Sequence, residues 1–203
     1  MPKKILLVSA TQAEMLETAN SNFDALITGV GMVATTFALT QTILEQKFDL
    51  VINIGIAGAF ESSLEIGSVV QVVSDRLSEL GVEDNGAFIP ADELNLCVKG
   101  EVYFETDVRV AGLLEVAGIT VNQVHGSAET IESIKRQFIP DVESMEGAAV
   151  AYVCQKFNIP WVQLRAISNK VEPRNRESWN ISLAIENLHT AVLAYLKTFE
   201  NEA

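Results

Sequence analysis

Positive charge is scarce in this chain. Its 203 residues include 14 lysines and arginines against 27 acidic residues, for a formal net charge of −13. A surface of that sign repels phosphate backbones, so nucleic acid is not an expected partner. Arg174 and Arg176 stand close together, but Glu172 and Glu177 flank them and no polyanion groove results. Cysteine is equally sparse. Cys97 and Cys154 are the whole supply, which excludes a disulfide framework and a thiolate metal site. Cys154, among small and apolar neighbours, reads as a reduced core thiol. Only two histidines occur, His125 and His189, and neither has a glutamate at metal-binding spacing. His125 is expected to end a strand, where it could line a pocket although a structural role is the stronger expectation, and His189 lies far along the chain from the motifs below. No segment is long enough to cross a bilayer. The opening MPKKILLVSAT has too short an apolar run for a secretion signal and reads as a first strand. There is no internal repeat, low-complexity tract or linker, so one domain over 1–203 in the cytoplasm is expected.

Hydrophobic residues, by contrast, make up 48% of the chain and charged residues 20%, a globular composition. Continuous apolar runs at Lys4–Ser9, Ala25–Thr28, Leu50–Ile54, Gly67–Ser74, Ile119–Val124 and Trp161–Ile167 predict strands buried on both faces. Helical spacing predicts helices over Met32–Phe48, Ala128–Phe138, Ser144–Phe157 and Trp179–Phe199, the third ending before Pro160. Residues 75–100 read as a long loop with some hairpin character. The alternation predicts an α/β domain with a largely parallel central sheet.

Several groups could carry chemistry. Gly29-x-Gly31 follows a strand and opens a helix, which can turn backbone N–H groups toward a polar ligand. It lacks the third glycine of a dinucleotide fingerprint, and alone it suits a plain tight turn. Gly55-x-Ala57-Gly58 is expected to end the next strand in the same way, and two such turns suggest a shared crevice. Glu14, just past the first strand, could act as a general base toward water. An isolated glutamate near a helix start is more often merely exposed. Glu146, after Met145 and before Gly-Ala-Ala, is expected to be partly buried, where an unpaired carboxylate is costly. Ligand hydroxyls would satisfy it, since a carboxylate only accepts. Ribose fits, with Met145 as a soft apolar face. The competing reading is a glutamate stabilised by the helix dipole. Arg165, Ser168 and Asn169 end an otherwise apolar strand. Arg165 could pair with a helix-borne carboxylate, and Asn169, donor and acceptor at once, suits the N7 and six-position edge of a purine, although Asn also starts turns.

Together LVINIGIAGAF, IGSVVQVVSD and SMEGAAVAYVCQKFNIPWVQLRAISN resemble the nucleoside phosphorylase/nucleosidase superfamily over most of the chain. The nearest branches are the methylthioadenosine/S-adenosylhomocysteine nucleosidases and the futalosine hydrolases. The resemblance implies a three-layer, purine nucleoside phosphorylase-like sandwich around a mixed sheet. It also implies a purine nucleoside substrate, no metal or organic cofactor, and a homodimer or larger homo-oligomer. It places Glu14 where a carboxylate activates water, Met145 and Glu146 on the ribose, and Arg165 and Ser168 behind the base. Asn169 falls where the adenosine nucleosidases carry an aspartate. A neutral amide favours a 6-oxopurine, so the resemblance implies hypoxanthine release from futalosine, a step of menaquinone synthesis. RAISNKVEPRNRESWNISLAI is similar to the futalosine branch, and Arg174 or Arg176 could meet a carboxylate on the 5′ extension. Gly55 and Ile56 are placed with the substrate-binding set. Ile56 and Asn53 stand where the phosphorylases carry serine and arginine, so phosphate would be poorly held. Two alternatives stay open: a methylthioadenosine-type nucleosidase with an unusual base contact, and a non-catalytic nucleoside-binding or storage protein.

Overall fold

The N-terminal apolar run forms β1 (Ile5–Ser9), with every residue buried. In the computed structural model, which describes residues 3–16 and 23–200, β1 lies between two parallel neighbours, β2 (Phe23–Ile27) and β3 (Leu50–Ala59). Helix α1 (Met32–Glu45) crosses between them. It stops short of Phe48 because the chain extends at Gln46, which lets Phe48 drop into the core.

Strand β4 (Val69–Arg76) follows. The expected long loop holds a hairpin, β5 (Gly81–Asp84) with β6 (Ala87–Pro90). Its turn places Asn85 and Gly86 both at positive φ, the conformation an Asn-Gly hairpin turn requires. Strand β7 (Tyr103–Glu105) pairs with β4. Strand β8 spans Leu114–Thr120 rather than Ile119–Val124. Its first two residues are exposed, and Gly118 sits where a Cβ would come within 2.8 Å of Val72, so its apolar signal is weak and late. Then come α2 (Ala128–Phe138), β9 (Val142–Ser144), α3 (Gly147–Phe157), β10 (Trp161–Lys170) and α4 (Ile181–Glu200). Ser144 therefore belongs to a short strand, not to the helix. Asn158 caps α3 in the left-handed conformation, ahead of Pro160.

The predicted α/β sandwich with a mixed, largely parallel sheet is what forms. Side chains alternate across β1: Ile5 and Leu7 pack with Leu188, Val192 and Leu196 of α4, whereas Leu6 and Val8 pack with Leu39 of α1 and Val150 of α3. Burial on both faces is why the strand reads as one unbroken apolar run. The sheet also bends back on itself. Strand β3 pairs with β10, β10 with β4, β4 with β8, β8 with β9, and β9 returns to the last two residues of β3. Strands β1 and β2 extend from this ring.

Gly55–Gly58 corrects the sequence reading. The segment does not turn. It stays in β3, registered against β10 from Arg165↔Gly55 to Ile167↔Ala57. A bulge at Ser168 then shifts the pairing to Asn169↔Gly58. Gly29 and Gly31 do make the expected turn, at φ 85° and 92°. The parallel strands β1, β3 and β10 thus finish on one edge of the sheet, where α1 and α3 begin.

Candidate active site

Glu14 is buried, at 8% exposure, in the turn after β1. Thr11 and Glu14 cap one another. The Thr11 N–H and hydroxyl donate to Glu14 Oε2 at 3.1 and 2.7 Å, and the Glu14 N–H donates back to Thr11 Oγ1 at 3.4 Å. The other oxygen, Oε1, accepts the Ile56 N–H of β3 at 3.1 Å. His189 of α4 reaches the Glu14 carbonyl, with its Nε2 at 3.2 Å. The T-x-x-E spacing is a capping-box signature that sequence reasoning could have used. The His189 contact has no local signal.

Gly55 brings the site together. A Cβ there would stand 3.0 Å from Arg165 Nη1 and 3.0 Å from Glu14 Oε1. The glycine serves close approach of two side chains, not a turn. Arg165 is fully buried; its Nη2 donates to Asn53 Oδ1 at 2.5 Å and its Nη1 to the Leu164 carbonyl at 3.3 Å. Asn53 in turn donates to the Val8 carbonyl. The direct partner of Arg165 is therefore the Asn53 amide, not the helix-borne carboxylate expected from sequence, and Glu146 acts on it through its field. Burial lowers the guanidinium pKa, while Glu146, Glu14 and Asp75 oppose that loss.

Glu146 is half-buried at the N-cap of α3, and its side chain makes no capping bond. Its Oε1 accepts the Gly31 N–H at 2.8 Å, at the start of α1. The starts of α1 and α3 thus meet through Gly31 and Glu146. Burial raises the Glu146 carboxyl pKa; the Gly31 bond and Arg165 pull it down, and Glu14 pushes it further up. Glu14, Glu146 and Arg165 consequently occupy one electrostatic neighbourhood. Met145, also half-buried, precedes Glu146. Ile56 offers its backbone N–H to Glu14, while its side chain packs against the core under α4.

At the far end of β10 the Ser168 hydroxyl donates to Asn169 Oδ1 at 2.8 Å, and Asn169 Nδ2 donates to the Lys170 carbonyl at 2.9 Å. These bonds orient the amide and leave it one N–H and one acceptor position. Gly58 lies beneath: a Cβ there would come within 3.1 Å of Asn169 Nδ2 and 3.5 Å of Glu143 Cγ. Buried Glu143 holds His125, with Oε2 at 2.6 Å from Nδ1 and Oε1 accepting the His125 N–H at 3.1 Å. The histidine is held structurally, as expected. Arg174 stacks on Trp179 at 4.9 Å and lines a 470 Å³ cavity with Gln123 and His125. Arg176 lies with Arg174 and Trp179 around a neighbouring cavity. Among the described residues, no group of three His, Cys, Asp or Glu is placed to hold a metal, and no helix is long and apolar enough to cross a membrane.

The chain matches the model of the Phosphorylase superfamily over residues 25–197 and belongs to that family. Among its relatives, the futalosine hydrolase of Acidothermus cellulolyticus is 30% identical over 181 residues, covering 84% of this chain and 74% of that protein. The 5′-methylthioadenosine/S-adenosylhomocysteine nucleosidase of Haemophilus ducreyi is 29% identical, covering 89% and 82%. In fold, the chain superposes on the 5′-methylthioadenosine/S-adenosylhomocysteine nucleosidase of Neisseria meningitidis, solved with methylthio-immucillin-A. That match has a TM-score of 0.80 at 20% identity and covers 97% and 99% of the two chains.

Proposed function

We propose that this protein hydrolyses the N-ribosidic bond of futalosine, releasing hypoxanthine and dehypoxanthine futalosine in the futalosine route to menaquinone. The observation that carries the reading is the meeting of Glu14 and Arg165 at Gly55, with the Glu146 carboxylate in the field of both and the neutral amide of Asn169 further along the same pair of strands, opposite Gly58. The futalosine hydrolase relatives support the choice of substrate.

In this mechanism the bond from the anomeric carbon to the purine breaks and its electron pair leaves with the base. Positive charge develops on the sugar. Glu146 accepts hydrogen bonds from the ribose hydroxyls and stabilises that charge electrostatically. Glu14, fixed by Thr11 and Ile56, orients water and takes its proton as oxygen bonds to the anomeric carbon. The remaining N–H of Asn169 donates to O6, or to N7 while N7 is unprotonated, and its oxygen accepts from N7 once that atom carries a proton. The leaving base draws its proton from water or another group. Asn53 is buried, with its neutral amide turned to Arg165 and the Val8 carbonyl, and it offers phosphate no cationic donor, which supports water as nucleophile. Arg174 and Arg176 are candidates for a carboxylate on the 5′ extension. The exposed Val33, Phe37 and Leu44 on the charge-free run of α1 support a homodimer. A cytoplasmic location accords with such a substrate.

The Haemophilus relative favours a second reading, methylthioadenosine cleavage. Futalosine, inosine and methylthioadenosine incubated side by side decide between them. Hypoxanthine released fastest from futalosine upholds the first reading. Faster adenine release from methylthioadenosine overturns it, and binding without base release would leave only a nucleoside-binding protein.

A further inference from the structure

We propose that Thr120, anchored on buried Asp75, is a positioning residue that caps α3 in place of Glu146 and so leaves the Glu146 carboxylate to the substrate. The proposal rests on the reading that Glu146 binds sugar hydroxyls.

A helix start leaves backbone N–H groups without partners, and the N-cap side chain ordinarily accepts the one at the second or third helical position. Glu146 is the N-cap of α3 by backbone position, yet its side chain makes no such bond. Its carboxylate turns instead to Gly31 on α1. Ala148, the second residue of the helix, still needs an acceptor. It finds one on another element: its N–H lies 2.7 Å from Thr120 Oγ1, at the end of β8. Thr120 thus does from outside the helix what Glu146 would otherwise do from within.

The substitute cap is itself fixed. The Thr120 hydroxyl donates to Asp75 Oδ1 at 2.9 Å, which aims its lone pairs at the helix. Asp75 is wholly buried on β4 and also accepts the Arg76 N–H at 2.7 Å and Gln163 Nε2 at 2.9 Å. The first residue of α3 rests on this group. A Cβ on Gly147 would lie 2.2 Å from Asp75 Oδ2 and 2.3 Å from Gln163 Nε2. Residues from β4, β8 and β10 therefore fix where α3 begins, and with it where Glu146 stands.

Without the Thr120 hydroxyl, the Ala148 N–H competes with Gly31 and the substrate for the Glu146 carboxylate. The test is Thr120→Val, with Thr120→Ser as the conservative control, assayed on inosine, 2′,3′-dideoxyinosine and futalosine. On the two ribosides Thr120→Val is expected to lose about tenfold in kcat/KM, mostly through KM, and Thr120→Ser to stay within about twofold. On the dideoxy compound, which offers Glu146 no hydroxyl, the Val penalty disappears. An equal penalty on all three substrates, or none on the ribosides, overturns the proposal. If the wild type cleaves none of the three, the functional reading has failed, and a crystal structure of Thr120→Val judges the cap separately. Glu146 turned from Gly31 toward Ala148 upholds the cap; Glu146 unmoved overturns it.

Discussion

The two carboxylates of the candidate site are held in opposite ways. Glu14 accepts three hydrogen bonds, two from Thr11 and one from Ile56. Its position is settled within its own turn and against β3. The carboxylate of Glu146 accepts from backbone alone, from Gly31 at 2.8 Å and from its neighbour Met145, in a half-buried setting that pushes its pKa up. The first arrangement suits a group that must point one way at a small molecule such as water. The second suits a group whose remaining acceptor positions are meant for a ligand, because burying a carboxylate with few partners is unfavourable until something supplies donors.

That contrast can be broken from either side. Glu14→Gln keeps the shape but removes the base. Turnover of futalosine is expected to fall by about 10²–10⁴-fold with little change in KM, read by steady-state kinetics, while the protein still folds at a lowered Tm because the new NH2 faces an N–H the carboxylate had accepted. Near-normal turnover would remove Glu14 from the chemistry. Glu146→Gln should cost about 10²-fold in kcat/KM on a riboside, from two charge-assisted hydrogen bonds weakened, and much less on 2′,3′-dideoxyinosine. It should also abolish an acid limb of the kcat/KM profile that lies above the ordinary carboxyl range in the wild type, since the proton must leave before Glu146 can accept from both hydroxyls. A limb that survives in the Gln variant belongs to another group.

Smaller effects sharpen the comparison. Asn169→Asp is expected to lower activity on hypoxanthine nucleosides by about tenfold to a hundredfold and to admit a 6-amino analogue, measured as base released from inosine and adenosine. Gly55→Ala pushes a methyl between Arg165 and Glu14. It should destabilise the fold by about 1–3 kcal/mol, seen as a lower Tm, with a loss of rate that Glu14→Gln already contains. The smallest effect is one of pH. Burial raises the Asp75 pKa from 3.8 to about 6, against the opposing pull of Gln163, Thr120, the Arg76 N–H and Arg165. Its folded form holds a proton more tightly than its unfolded form. Its contribution to stability therefore falls as pH rises between those values. Asp75→Asn should flatten that part of the denaturation-midpoint profile, and an unchanged slope would show that another group sets it.

Much of this arrangement was visible in the residues. The unbroken apolar runs gave the strands because β1, β3 and β10 are covered on both faces, and SMEGAA with RAISN carried the family resemblance that the comparisons bear out. What escaped notice depended on contacts between distant segments. Gly55 and Gly58 looked like turn formers, as Gly29 and Gly31 are, because a glycine required for close approach and one required for positive φ are identical on paper. Asn53 gave no sign of holding Arg165, 112 residues away. The closing of the sheet through β9 rests on a three-residue strand, too short for any periodicity to announce.

Two bare positions on β3 have a practical meaning for anyone reshaping this protein. Where a Cβ is missing at residues 55 and 58, neighbouring side chains have already moved in to within 3.1 Å of the space. Enlarging either residue would not trim a binding cavity by one methyl; it would dislodge the groups on which catalysis is proposed to depend. Retargeting toward other nucleosides therefore has to proceed through the rim, in segments such as Gln123–His125 and Arg174–Trp179, while this stretch of backbone is left as it is.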